Sequence, residues 1–151
     1  MAGIVVGIDG SEHSRRALVW AAHEAALRQV PLVAVHAYDP APGYWIAPVP
    51  YVEEDPALTK KALEVAQREV DTTLAQLEAG SRPAAVTVRA VAGSPASVIM
   101  EAANDADLIV VGSRGAGGFH RLMLGSVGTQ VVHHAHRPVV VIPAEDPAEA
   151  G

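Results

Sequence analysis

Hydrophobic residues along this chain gather in five short runs, at 4–8, 32–37, 85–91, 108–111 and 139–142. The runs are rich in β-branched residues, and most are nearly continuous in apolar character. Strands of a parallel sheet read this way when both faces are buried. The third run differs: Thr87 and Arg89 fall at alternate positions, as expected of an edge strand. Between the runs, apolar positions recur at helical steps. Ser11 predicts an N-cap for a helix over 12–29, with Leu18, Ala21, Ala22 and Ala25 on one face and Pro31 stopping it. The longest helix is predicted over 56–79, with Leu63, Ala66, Val70, Leu74 and Leu77 on one face and Gly80 ending it. Ser94 and Pro95 read as the cap and first residue of a third helix, terminated at Asn104. A last helix is expected from 125 to His136, before Pro138 opens the final strand.

Strands alternating with helices predict an α/β fold: an open five-stranded parallel sheet with helices on both faces. One domain is expected over 1–151, with its core at about 3–143 and a charged tail at 144–151. The stretch 38–55 is irregular and rich in proline and aromatics. It reads either as a surface loop or as a lid over a ligand site.

Composition narrows the function. The 151 residues carry a formal charge of −6, which argues against a general grip on nucleic acid or an anionic membrane. No apolar run approaches the roughly 20 residues of a membrane helix. The first residues lack the basic start of a secretory signal, so a cytoplasmic protein is expected. There is no cysteine, which excludes disulfides, zinc thiolate sites, iron–sulfur clusters and thiol catalysis. With aromatics at 4%, the core must be built from Ala, Val, Leu and Ile.

The densest glycine cluster, VVGSRGAGGFHRLMLGSVG at 110–128, follows a strand and feeds a helix. Gly112, Gly115, Gly117 and Gly118 let a backbone turn sharply and approach a ligand. Gly125 and Ser126 stand where unpaired N–H groups and the helix dipole favour phosphate. A Walker loop is excluded because the cluster has no lysine, and neither a Rossmann fingerprint nor a G-x-S-x-G elbow is present. Asp9 ends the first strand. If the strand order is 3-2-1-4-5, the order reverses between strands one and four, and ligands of open parallel sheets bind there. Asp9 and Gly112 would then face one another across a crevice. The alternative for Asp9 is a turn residue ahead of Gly10 and Ser11. A bulky side chain at Gly112 or Gly115 is expected to abolish ligand binding while leaving the fold intact.

These residues resemble a known family. Gly112, Gly115, Gly125 and Ser126 match the Gly, two residues, Gly, nine residues, Gly, Ser/Thr spacing of nucleotide-binding universal stress proteins, over about 3–143 of the chain. The closing HRPVVVIP is also similar. The resemblance implies a flavodoxin-like sheet of order 3-2-1-4-5, bound ATP with Mg²⁺, and a homodimer paired through the last strand, residues 139–142. It also implies site residues. Asp9 would lie at the nucleoside end, and the backbone at Ala37 would meet adenine. Gly112 and Gly115 would pass close to ribose and phosphates, and Gly125, Ser126 and Val127 would wrap the phosphates. Gly128–Thr129 departs from the Ser common at the first of these positions.

Other candidates are weaker. His133 and His136 lie one helical turn apart, but no acidic residue joins them, and a cap at the helix C-terminus is the simpler reading. Arg114 and Arg121 read either as phosphate contacts or as solvated loop residues. Phe119 and 122–124 read as loop anchors on the sheet. Efficient ATP hydrolysis needs a base, a cation and a metal site, and the expected site offers one carboxylate, Asp9, with no loop lysine. The expected function is an ATP-binding stress-response regulatory protein whose state depends on its nucleotide. The alternatives are a weak ATPase or nucleotidyl-transfer enzyme, and a flavoprotein, which the glycine spacing disfavours.

Overall fold

The computed structural model describes residues 2–40, 55–113 and 124–143. In them the chain runs β1 (Ile4–Gly7), α1 (Glu12–Arg28), β2 (Leu32–Tyr38), α2 (Pro56–Ala75), β3 (Val86–Ala92), α3 (Pro95–Ala102), β4 (Leu108–Gly112), α4 (Ser126–His134) and β5 (Val139–Ile142). All pairings are parallel, in the order β3-β2-β1-β4-β5. This is the doubly wound, flavodoxin-like arrangement that the alternation predicts. The positions 41–54, Gly115, Arg114, Arg121 and the tail from 144 lie outside the described residues.

Strand alternation divides the buried residues between two layers. Ile4, Val6 and Ile8 face α1 and α2, together with Leu32, Ala34, Leu108 and Val110. Val5, Val35, Ile109 and Val111 face α3 and α4, where Ile99 and Val131 pack on them. On α1 the buried stripe is almost entirely alanine: Ala17, Ala21, Ala22 and Ala25 are fully buried beside Leu18. Small side chains let the helix backbone lie close on the sheet, which explains how a core with so few aromatics stays close-packed. Fully burying a side chain the size of Leu18 contributes about 1.5–3 kcal/mol.

The five strands fall where the apolar runs place them, and β3 is an edge strand with Thr87 and Arg89 exposed. Helix ends depart from the expected ones. The first helix stops at Arg28 because Gln29 takes a left-handed conformation, φ 58° and ψ 44°, and closes the end through its N–H to Ala25 and Ala26 carbonyls. The longest helix ends at Ala75, four residues before the predicted Ala79, and a short 3₁₀ turn over Ala79–Ser81 follows. The cause is Arg82. Its guanidinium donates to Ala75 O at 3.1 Å and to Leu77 O at 2.7 and 2.9 Å, satisfying carbonyls that a longer helix would have used. Of the face expected to be buried, Leu63 is 38% exposed, while Ala66 and Val70 are buried. The third helix closes on Ala103, one residue before the expected terminator Asn104, and the last ends at His134, two residues short of the expected His136.

Candidate functional site

At the carboxyl ends of β1 and β4, where the strand order reverses, a crevice opens. Asp9, Ala37, Gly112 and Val127 line it, so four of the seven predicted site residues meet there. Gly7, Val35, Ile99 and Val111 form its apolar floor, and Pro95 stands at its rim. Gly125 and Ser126 begin α4 beside it, and Gly115 lies outside the described residues.

The β1 side is built from a run of local hydrogen bonds. Gly10 takes φ 81°, which turns the chain sharply after Asp9. The Asp9 carboxylate accepts from Ser11 N–H at 2.9 Å, and Ser11 Oγ accepts from Ser14 N–H at 3.2 Å as the N-cap of α1. Ser14 Oγ then accepts from Asp9 N–H at 3.1 Å and lies 3.2 Å from both Ser11 O and Glu69 Oε1. His36 Nδ1–H donates to Ile8 O at 3.2 Å, fixing the neighbouring strand ends together. Burial pushes the Glu69 carboxyl above its ordinary range, assisted by the nearby Asp9 charge and opposed by the Ser14 hydrogen bond.

The β4 side is less complete. Gly125 caps α4 without a side-chain hydrogen bond, and its own N–H is taken by Ser113 O at 2.7 Å. The first-turn N–H groups of Ser126, Val127 and Gly128 have no partner within α4 itself. Ser113, 4% exposed, has a buried hydroxyl with no hydrogen-bond partner. The amides open at this helix start are thus those of residues 126–128, beside the exposed Ser126 hydroxyl, whereas the Gly125 amide is already used.

Gly112 lines the crevice and also carries a packing constraint. A Cβ there would stand 2.8 Å from His13 O and 3.0 Å from His13 C. The glycine is required by the backbone of α1 crossing β4, so a side chain would disturb the fold and not the ligand alone. Gly7 is similar in kind: a Cβ would meet Ile99 Cδ1 at 2.5 Å. Leu124, expected as an anchor on the sheet, is 39% exposed. His133 and His136 are exposed near the end of α4, and no cluster of three or more metal-ligating side chains occurs among the described residues. No helix among the described residues is long and apolar enough to cross a membrane.

Three crevice features escaped the sequence reading: Ser14, Gly7 and Glu69 behind them. Glu69 had a signal. It lies at three- and four-residue steps from Ala66 and Thr73, on the buried stripe of α2, where an acidic residue is out of place.

Comparison with known proteins agrees with this geometry. The universal stress protein family model matches residues 2–143. The universal stress protein Rv2623 of Mycobacterium tuberculosis is 35% identical over 148 residues, covering 95% of this chain and 48% of its own length. The chain thus spans about half the length of the curated relatives it matches. Among solved structures, a universal stress protein in complex with cAMP shares 27% identity at a TM-score of 0.63, covering 93% of this chain and 95% of that one. The universal stress protein of Archaeoglobus fulgidus in complex with dAMP shares 28% at 0.61, covering 94% and 98%. Sequence and fold agree over nearly the whole length, and the chain belongs to the universal stress protein family.

Proposed function

We propose that the crevice binds an adenine nucleotide, ATP with Mg²⁺ as its counter-ion, and that the chain is a stress-response regulator whose state follows the bound nucleotide. The observation that carries this reading is the meeting of an apolar slot with open helix amides at the point where the strand order reverses. Adenine fits the slot between Val35, Ala37 and Ile99, with the backbone at Ala37 as its hydrogen-bonding edge. Asp9 faces the nucleoside. Phosphates fit against the first turn of α4, at Ser126 and Val127 and beside Gly125, with Gly112 and Gly115 carrying the chain past them. Relatives of 27–28% identity solved with cAMP and dAMP support an adenine ligand.

Mass spectrometry of nucleotide released from freshly purified protein, followed by titration calorimetry with ATP, ADP and AMP, tests the reading. Released adenine nucleotide and saturable heat are expected. Protein that carries none and gives no heat with any of the three would overturn it.

The same reading includes a homodimer through β5. All four residues, Val139 to Ile142, are apolar and only half-buried, and the strand is a sheet edge. An apolar edge needs a cover, and the same strand of a second copy about a two-fold axis satisfies its backbone groups. Light scattering is expected to give a dimer mass, moving toward monomer in Val140→Lys. A monomeric parent at micromolar concentration would refute it.

A further inference from the structure

Behind the β1 side of the crevice, Glu69 of α2 reaches across 55 residues of sequence to Ser14 of α1. Ser14 lines the crevice, and its oxygen is the meeting point of three hydrogen bonds: from Asp9 N–H, toward Ser11 O and toward Glu69. We infer that Glu69 is a proton-linked regulator of ligand binding at this crevice, coupled to it through the Ser14 hydroxyl. The inference rests on the nucleotide reading given above.

The hydrogen-bond geometry permits two proton arrangements. With Glu69 ionised, the single Ser14 proton points to the carboxylate. With Glu69 protonated, the acid proton points to Ser14 Oγ and the Ser14 proton turns to its second acceptor, Ser11 O, also at 3.2 Å. In both arrangements Ser14 Oγ keeps a lone pair for Asp9 N–H. The Asp9 turn is therefore held in either state, and what changes is one negative charge behind the crevice.

Charges facing Glu69 come from each neighbouring element. Asp9 lies at the end of β1, His36 on β2 and Arg15 on α1. From β3 the only ionisable residue is Arg89, which borders a groove on the opposite face with Val33 and Val91. On α2 itself, Val65, Ala66, Thr72 and Thr73 occupy the adjacent turns, so the helix supplies no counter-charge. Glu69 is half-buried, and burial already favours its neutral form. An anionic ligand in the crevice adds repulsion of the same sign and drives the carboxyl further toward protonation. By linkage, binding takes up protons, and affinity rises as pH falls from neutrality through the Glu69 titration.

Calorimetric titration with ATP in two buffers of different ionisation enthalpy tests this in the parent and in Glu69→Gln. Glu69→Gln keeps the size and hydrogen-bonding capacity of the side chain and removes its titration. The parent is expected to take up more protons than the variant near the raised Glu69 range. At neutral pH the variant is expected to bind ATP about threefold more tightly, the gap closing at acid pH, as suits a solvent-screened charge. ATP is the same ligand in both proteins, so the difference between the two profiles reports the loss of the Glu69 carboxyl. Equal proton uptake and parallel pH profiles would overturn the inference while leaving the nucleotide reading intact. A parent that gives no heat with ATP would overturn the nucleotide reading, and this inference with it. If Glu69→Gln does not fold, the carboxyl-carbon chemical shift of Glu69 in the parent decides. A titration midpoint that rises on adding ATP supports the inference, and an unmoved midpoint overturns it.

Discussion

The two sides of the crevice are built on different terms. On the β1 side the polar groups of the turn are paired within the protein: Asp9 carboxylate with Ser11, Asp9 amide with Ser14, Ser14 with Glu69, His36 with Ile8, while His13 Nδ1 on α1 is buried without a hydrogen bond. On the β4 side the Ser113 hydroxyl is buried without one, and the first turn of α4 has no side-chain cap. Buried polar groups are nearly always satisfied, so exceptions mark places where something else is expected to supply the bond. The contrast teaches that the Asp9 turn is scaffold first and contact second, whereas the start of α4 presents first-turn amides that its own helix does not use. The glycines cut across that division: Gly7 on β1 and Gly112 on β4 are both crowded by neighbouring elements, and Gly128 has ordinary clearance.

The strongest way to break this picture is Gly112→Val. With the His13 carbonyl 2.8 Å from the new Cβ, α1 must move off the sheet, and backbone cannot yield as a side-chain tip does. Overpacking of this kind costs about 1–3 kcal/mol, and on the order of 2–4 °C of melting temperature per kcal/mol for a domain of this size. Thermal unfolding by circular dichroism is expected to show a drop of several degrees, with ATP binding lost in parallel. A variant that melts like the parent but has lost ATP would show that Gly112 serves the ligand alone. Gly7→Ala comes next. Its obstacle is Ile99 Cδ1 at 2.5 Å, the far end of a side chain, so its cost is expected to be smaller. Adding Ile99→Val removes that methyl and is expected to restore part of the loss. Strict additivity of the two changes would show that they do not meet.

Asp9 separates scaffold from contact. Asp9→Ala removes the acceptor of Ser11 N–H and is expected to cost about 0.5–1.5 kcal/mol in stability. ATP affinity is expected to fall on the order of tenfold by calorimetry. Asp9→Asn keeps the side-chain oxygen that closes the turn. Melting temperature is expected to recover in Asp9→Asn. Affinity that recovers with it would make Asp9 a turn residue only.

The order of strands and helices was legible because it depends on local pattern: continuous apolar runs, Ser11 and Pro95 at helix starts, prolines at stops. What was not legible depends on contacts between distant residues. Nothing near position 76 announces that Arg82 will fold back onto Ala75 and Leu77. Likewise, Ser14 and Glu69 become partners only once α1 and α2 lie side by side. Within the site, strand ends and glycine spacing pointed to Asp9 and Gly112, and the family resemblance supplied Ala37 and Val127. Spacing does not tell whether a glycine faces a ligand or a neighbouring backbone, and at Gly112 the His13 backbone alone already requires one.

The smallest expected effect, and the one of opposite sign, is at Gly128. It occupies the third position of α4 and lines the crevice. A Cβ there would lie 3.6 Å from Leu124 Cδ2 and 3.8 Å from the carbonyls of Gly112 and Ser113, all ordinary contacts. Gly128→Ala should therefore gain helix propensity without strain, roughly 0.5–1 kcal/mol, and raise the melting temperature by a few degrees. If phosphate is bound by first-turn amides, the amide of residue 128 is kept and ATP affinity should stay within about twofold of the parent. A stabilised variant with much weaker affinity would place the ligand against the Cα of residue 128. The packed and the ligand-facing glycines would then both lie on the β4 side, Gly112 against α1 and Gly128 against the nucleotide.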